Sequence, residues 1–400
     1  MQTKNATDRA DRQSPSPNKP WISCHLKVCS ASVLDATTAQ RFIRMRDFLP
    51  HDRPALVLAP MQSVTDLPFM RVCARRGGPD WFVTEFFRVH HAFRPDRYIL
   101  RSIDENSTGR PVFAQIIGSE PAHMVDAVRQ LQNHPIAGID LNLGCPSPTV
   151  CGKSAGGGLL RQPQEVDRMI GALRDAIPGR FTVKTRVGYH HEDEFSALLE
   201  IFRKHAIDGL TIHGRTVADR YQTPVRPHCV RRAVETLPCP VVANGNVVNA
   251  QSGKNYQTMT NAHGLMIGRG AIRNPWIFDQ LRSLYAGIAS KRPTARDLLE
   301  YIEDLYHELA RESKTYDEKN HIQRMKKTML YIVQGMGDVF EEAIRRMQRE
   351  DEFFAICRAE LDHDGLVPDL PPEKSKLFCG FNELLHSDLL AGGSVQSESR

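Results

Sequence analysis

A (β/α)8 barrel of the α/β class, followed by a small all-helical domain, is the fold this sequence predicts, on three observations. Eight short apolar runs alternate with helix-length amphipathic segments between residues 55 and 268. The runs are apolar throughout rather than alternating, as strands covered on both faces require. The first strand-to-helix turn, "LVLAPMQSV", lacks the G-x-G-x-x-G of a dinucleotide-binding open sheet, the main rival architecture.

The strand candidates, in order, are "ALVLAP" (55–60), "WFVTE" (81–85), "PVFAQII" (111–117), "GIDLN" (138–142), "FTVKTR" (181–186), "GLTIH" (209–213), "PVVAN" (240–244) and "GLMIG" (264–268). Between them "EPAHMVDAVRQLQNH", "QEVDRMIGALRDAI" and "DEFSALLEIFRKH" have the 3.6-residue period of helices with one apolar face, and "NAQSGKNYQTMT" is read as a further connecting helix. From 294 to 364 the strand signal ends and helical periodicity alone remains, in "TARDLLEYIEDLYHELARES", "EKNHIQRMKKTMLYIVQGM" and "VFEEAIRRMQREDEFFAICRAEL". The organisation expected is an N-terminal extension over 1–50, disordered in part and with a short helix in "TTAQRFIRMRDFL", a catalytic barrel over 51–290, a helical domain over 291–370, and a loose C-terminal tail over 371–400.

Composition narrows the function classes. The chain has 400 residues, 41% hydrophobic and 25% charged, an ordinary balance for a folded protein with a large core. No apolar run approaches a membrane span, and the polar start "TDRADRQSPSPNKP" is not a secretory signal. Nine scattered cysteines suit reduced thiols in the cytoplasm. Cys24 and Cys29, separated by four residues, have no second pair beside them, so a structural metal is not expected. A formal net charge of +5 permits an anionic partner without requiring one. A monomer is expected.

In such barrels chemistry gathers where the strands end, because the following loops converge on one mouth. Pro60 and Met61 follow the first strand, Gln115 lies in the third, and Asn142 ends the fourth just before Cys145. Lys184 lies in the fifth, His213 and Asn244 end the sixth and seventh, and Gly268 and Arg269 follow the eighth. Any one of these alone is as easily a buried structural residue; their coincidence at one end of one barrel is harder to dismiss. In "MIGRGAIRNPWIF" (266–278), glycines free backbone N–H groups to point inward, and Arg269 adds a forked donor, which together suit a phosphate. "CGKSAGGG" is not a P-loop, because Ser147 stands where the first glycine is required; it is read as a flexible loop able to approach a flat ligand. A phosphate cradle with Gln115, Lys184 and His213 suits flavin mononucleotide, FMN.

With these residues in place, the chain resembles the tRNA-dihydrouridine synthases. The similarity runs through "LAPMQSVTDLPF", "GRPVFAQIIGSEP", "IDLNLGCPSPTVCGKSAGGGLL", "VKTRVGY", "IHGRT", "VVANGNV" and "IGRGAIRNPWIF", about residues 54–285, and "HIQRMKKTMLYIV" resembles the family's C-terminal domain. "TEFFRV" and "GCPSPTVCGKSAGGG" lean toward bacterial subfamily C, which acts on the sixteenth nucleotide of the D-loop. The resemblance implies reduction of a D-loop uridine in tRNA to 5,6-dihydrouridine, with FMN as cofactor and NADPH, or less readily NADH, as reductant. It implies flavin contacts from Pro60, Met61, Gln62, Gln115, Lys184, His213, Asn244, Gly245, Asn246, Gly268 and Arg269, and places Asn142 near flavin and uracil. Hydride would go to C6, and Cys145, the family's active-site thiol, would give the proton to C5. On this view Gly144 and Pro146 hold the sulfur above the ring, and Cys151 is a bystander.

Two departures from the family pattern stand out. Asn246 replaces a common acidic residue, and "ADRYQTPVRPHCV" follows "HGRT" where the family has a different run. For tRNA, the helical domain is slightly acidic, so contact needs local patches: Arg324, Lys326 and Lys327, or Arg345, Arg346 and Arg349, with Arg186, Arg215 and Tyr221 at the barrel rim. Two other readings remain open from the residues alone. One is an FMN barrel oxidoreductase acting on a free pyrimidine or enone, related to dihydroorotate dehydrogenase. The other is an RNA-binding relative that has lost its chemistry.

Overall fold

Eight buried apolar segments have no water for their backbone N–H and C=O groups, and the chain satisfies them by parallel pairing around a closed cylinder. The computed structural model describes residues 45–312 and 317–385. Its strands are β1 (Ala55–Leu58), β2 (Trp81–Val83), β3 (Phe87–Arg88), β4 (Val112–Ile117), β5 (Gly138–Leu143), β6 (Phe181–Arg186), β7 (Gly209–His213), β8 (Val241–Asn244) and β9 (Gly264–Ile267). β1 pairs with both β2 and β9, and β2 with β4, which closes eight strands into a barrel. The eight expected strands are all present. β3 is an addition: two residues that pair Phe87 with Ile116 and Arg88 with Ile117, too short to carry any periodicity.

Pairing register sorts the strand residues into two sets. Leu56, Phe82, Ile116, Leu141, Val183, Ile212, Ala243 and Leu265 face the surrounding helices in one continuous core. The alternate residues face inward, and they divide by sector. Val57, Trp81, Val83, Phe113, Val242 and Met266 fill part of the interior with apolar groups. Gln115, Asp140 and Thr182 bond to one another elsewhere, Gln115 Nε2 and Thr182 Oγ1 donating to Asp140 at 2.8 and 2.6 Å.

Helix starts are legible in the chain. Proline opens the helices Pro121–Leu131, Pro163–Ala176 and Pro227–Thr236, where its missing N–H costs nothing. Thr294 Oγ1 accepts from Asp297 N at 3.2 Å while Asp297 accepts from Thr294 N at 2.9 Å, a reciprocal cap for the helix Ala295–Arg311. That helix begins the C-terminal helical region and packs on the barrel helix Leu67–Arg75. Arg71 pairs with Glu312 at 2.8 Å, Arg75 with Glu308 at 2.9 Å and Arg76 with Asp304 at 2.8 Å.

Both ends of the expected barrel carry more structure than the sequence suggested. Met45, Phe48 and Leu49 pack against the apolar interior at the strands' N-terminal end, Phe48 lying edge-on to Trp81 and Phe113; the rest of the helix expected in "TTAQRFIRMRDFL" lies outside the described residues. The expected loose tail is also corrected: Phe378, Phe381 and Leu384 are buried, and Pro371–Leu385 lies against the barrel. Residues 386–400 lie outside the described residues. Among the described residues no helix is long and apolar enough to cross a membrane.

Candidate functional site at the barrel mouth

A cavity of about 420 Å³ opens at the C-terminal ends of the strands. Of the expected flavin contacts, Pro60, Met61, Gln62, Lys184, His213, Asn244, Gly245, Asn246, Gly268 and Arg269 line it. So do Asn142, Cys145, Arg186 and Tyr221. Gln115 does not: it is fully buried beneath the floor, where Asn142 Nδ2 donates to its Oε1 at 2.8 Å and it donates in turn to Asp140.

The cysteine turn is built from the inside of the barrel outward. Asn142 Oδ1 accepts from both Gly144 N and Cys145 N, each at 3.0 Å. Arg186 Nε donates to Gly144 O at 2.9 Å. Gly157 N and Cys151 Sγ donate to Cys145 O at 3.1 and 3.3 Å. The peptide groups on both sides of Cys145 are thus tied down, and the half-buried Cys145 forms part of the cavity lining. Cys151, expected to be a bystander, is one of the supports. The "SAGGG" loop is likewise corrected: Gly156, Gly157 and Gly158 are buried, and a Cβ on Gly157 would come within 2.8 Å of Cys145 O. Glycine there allows the loop backbone to brace the turn.

On the opposite side, Gly270 lies where a Cβ would meet Val247 O at 2.2 Å, so only glycine lets this loop close against the neighbouring one. Asn244 Nδ2 donates to Met266 O at 2.8 Å, tying the ends of β8 and β9 together. The Tyr221 ring packs beside two guanidinium groups, Arg186 at 5.1 Å and Arg269 at 5.0 Å, and is edge-on to His213.

The cavity is electropositive. Lys184, Arg186, Arg269 and Lys376 line it, and among the described residues no carboxylate does. Burial and the nearby Arg186 push the Lys184 ammonium down to about 8, so it is still mostly charged at neutral pH. Burial, then Arg186, Lys184, Arg215 and Arg269, hold His213 well below the usual imidazole range, so it is neutral. Its Nδ1 is buried without a hydrogen-bond partner.

Glu85, which sequence reasoning passed over inside "WFVTE", sits beside this rim. Gln62 Nε2 donates to its Oε2 at 2.9 Å, while Oε1 is buried without a partner. Burial, then the Asp66 carboxylate, raise it to about 7. A buried acid at a strand end is the signal that could have found it.

The expected RNA contacts scatter. Arg215 is corrected from rim to interior: it is fully buried, donating to Thr223 O, to Asn246 Oδ1 at 3.0 Å and to Cys379 O at 3.0 Å. Arg186 is also 2% exposed, and its Nη1 donates to Thr216 O and Arg220 O, so much of its guanidinium is committed to the protein. Arg324 turns inward to Asp66 at 3.0 Å and to the Tyr98 hydroxyl, joining the helical region to the barrel. Lys326 donates to Arg345 O at 3.0 Å, and Lys327 is exposed. Arg345, Arg346 and Arg349 each pair with a neighbouring carboxylate, from Glu341, Glu342 and Asp351. Among the described residues one group has metal-ligand chemistry, Glu192, His228 and Cys229, but Glu192 is already paired with Arg226 at 2.6 Å.

A closed parallel barrel with a cationic, glycine-edged mouth and a braced thiol is the architecture of an enzyme that binds a phosphate-bearing cofactor. The family model for dihydrouridine synthases matches residues 57–363, and the chain belongs to that family. It is 33% identical to the tRNA-dihydrouridine(16) synthase of Haemophilus influenzae over 69% of this chain and 90% of that protein. It is 29% identical to tRNA-dihydrouridine synthase B of Xanthomonas axonopodis, over 80% and 96%. With the tRNA-dihydrouridine(16) synthase of Neisseria meningitidis the identity is 29%, over 60% and 74%. The family uses FMN, and the residues present fit it: a cradle of close-packed glycines, Lys184 in the cavity wall, and an orphaned His213 Nδ1.

Proposed function

We propose that this protein reduces the C5–C6 double bond of a tRNA uridine to 5,6-dihydrouridine, in the cytoplasm. The observation that carries the reading is the Cys145 thiol, set on a turn braced through its backbone, in one cavity with Lys184 and the glycine cradle.

Gly268, Arg269 and Gly270 would hold the phosphate of FMN, and Lys184 and His213 its ring system, with Met61, Asn244 and Asn246 around it. When bound, FMN reduced by NADPH or NADH would supply the hydride chemistry needed at C6 of the uracil. The protein's own residues do the rest. A uracil in the folded tRNA is out of reach, so the nucleotide has to be extruded into the mouth at a cost of a few kcal/mol. The positive lining without carboxylates favours the negative charge that develops on the pyrimidine. Cys145 Sγ–H then protonates C5, and for that it must be a thiol at the moment of transfer. Exposed Lys327, with Lys326 beside it, is the candidate tRNA contact of the helical region.

The test is incubation of the purified protein with NADPH and either bulk tRNA from cells lacking this chain or free uridine. Dihydrouridine should form in the tRNA alone. NADPH loss with free uridine and none with tRNA would favour the free-pyrimidine oxidoreductase. Mapping the product nucleotide then decides position 16 against another D-loop site, since relatives of both names match the chain.

A further inference from the structure

The cavity wall beside the glycine cradle is made by Lys376, Leu377 and Phe378, beyond the 57–363 region that the family model covers. We infer that the C-terminal segment Pro371–Leu385 is a built-in part of the cofactor site, with Lys376 as an added cation for the FMN phosphate. This rests on the flavin reading of the mouth.

Three barrel residues hold the segment, one from each of three successive loops. Arg215, after β7, donates to Cys379 O at 3.0 Å. Asn246, after β8, donates through Nδ2 to Gly380 O. Arg269, after β9, donates to Leu377 O, and its guanidinium lies 5.8 Å from the Phe378 ring. The segment has further anchors. Ser375 Oγ donates to Gln334 Oε1 at 2.7 Å, Asn255 Nδ2 donates to Leu384 O at 2.8 Å, and Phe378 and Phe381 bury against Val248. Gly380 comes so close to the loop after β7 that a Cβ would lie 3.1 Å from Thr223 O and Pro224 N.

These contacts join the two places where the barrel sequence departs from its family. The loop "ADRYQTPVRPHCV" is what Gly380 packs on, and its Tyr221 sits against Arg269. Asn246 needs an amide for what it does here, accepting from Arg215 and donating to Gly380 O; a carboxylate could accept but not donate. One consequence follows for the ligand. With Leu377 O held by Arg269, the adjoining Lys376 is brought to the cavity that Gly268, Arg269 and Gly270 line, exposed and, among the described residues, unopposed by any lining carboxylate. An ammonium there suits a phosphate monoester and is indifferent to an uncharged ribityl chain.

The experiment is titration of flavin-free protein with FMN and with riboflavin, read by quenching of flavin fluorescence. The variants are Lys376→Glu, Asn246→Asp and a chain ending at Leu370, with folding checked by circular dichroism. Lys376→Glu, at an exposed position, is expected to weaken FMN about fivefold to tenfold and leave riboflavin unchanged. Asn246→Asp and the shortened chain are expected to weaken FMN by roughly tenfold or more. Wild-type FMN affinity in Lys376→Glu and in a folded shortened chain overturns the inference and leaves the flavin reading intact. A wild-type protein that binds neither flavin sinks both.

Discussion

The two sides of the barrel mouth are assembled differently. Around Cys145 every supporting group lies within 42 residues of the peptide it holds: Asn142, Cys151, Gly157 and Arg186. Around the glycine cradle the bonds reach across the chain, with Arg269, Asn246 and Arg215 donating to carbonyls 108, 134 and 164 residues away. The first side is a local cassette that fixes one sulfur. The second is a joint between distant segments, its tail held by Arg215, Asn246 and Arg269 rather than by the residues that brace the Cys145 turn. Substitutions on the two sides should therefore separate proton delivery from cofactor retention.

The largest expected effect is on the cysteine side. Cys145→Ala should cut dihydrouridine formation by about 10²–10⁴-fold, the usual worth of a positioned general acid. Flavin content and NADPH oxidation should stay near wild type, because the glycine cradle, Lys184 and the tail are untouched. Loss of flavin in this variant would merge the two sides into one unit. Next in size is Asn142→Ala, which leaves Gly144 N, Cys145 N and Gln115 Oε1 without their partner. Orphaning buried groups costs about 1–3 kcal/mol, so a loose thiol should slow product formation by roughly 10–100-fold. Single-turnover oxidation of the reduced flavin by tRNA is the measurement. A rate equal to wild type would remove Asn142 from the support of the turn.

The same difference explains what could be read from the chain. The eight strands and the cavity-lining residues at their ends follow from apolar runs and from what sits after them, because parallel pairing around a cylinder brings strand ends to one place. "IDLNLGCPSPTV" has its own supports within or near it, so Cys145 and Asn142 are legible as a pair. Gln115 falls in a strand but below the mouth, a distinction of depth that strand position alone does not carry. Arg215 and Arg324 look like rim and surface cations in sequence; their partners, Cys379 and Asp66, are 164 and 258 residues away, and only the fold supplies them. The tail "PPEKSKLFCGFNELL" has no periodicity that marks it as packed. Its burial depends on carbonyls meeting three side chains from other loops.

Glu85 gives the smallest effect and bears on neither the thiol nor the cradle. It stands two residues past β2, with Gln62 on Oε2 and no hydrogen-bond partner on Oε1. Its folded value is about 7 against an ordinary 4.5, raised by burial and by Asp66. A raised acid binds its proton more tightly in the folded protein than in the unfolded chain. The stability this gives is fully present below about pH 4.5 and is lost as pH rises through about 7. Between pH 5 and 7 the loss amounts to about 2 kcal/mol. Glu85→Gln keeps an acceptor for Gln62 and has no proton to release, so its melting temperature should fall less than that of wild type over this range. Its dihydrouridine yield at pH 6 should match wild type, since the wild-type carboxyl is mostly neutral there. Parallel melting curves for the two proteins from pH 5 to 8 would place Glu85 outside any titration of this rim, whereas a yield that collapses in Glu85→Gln at pH 6 would move it into the machinery beside Cys145.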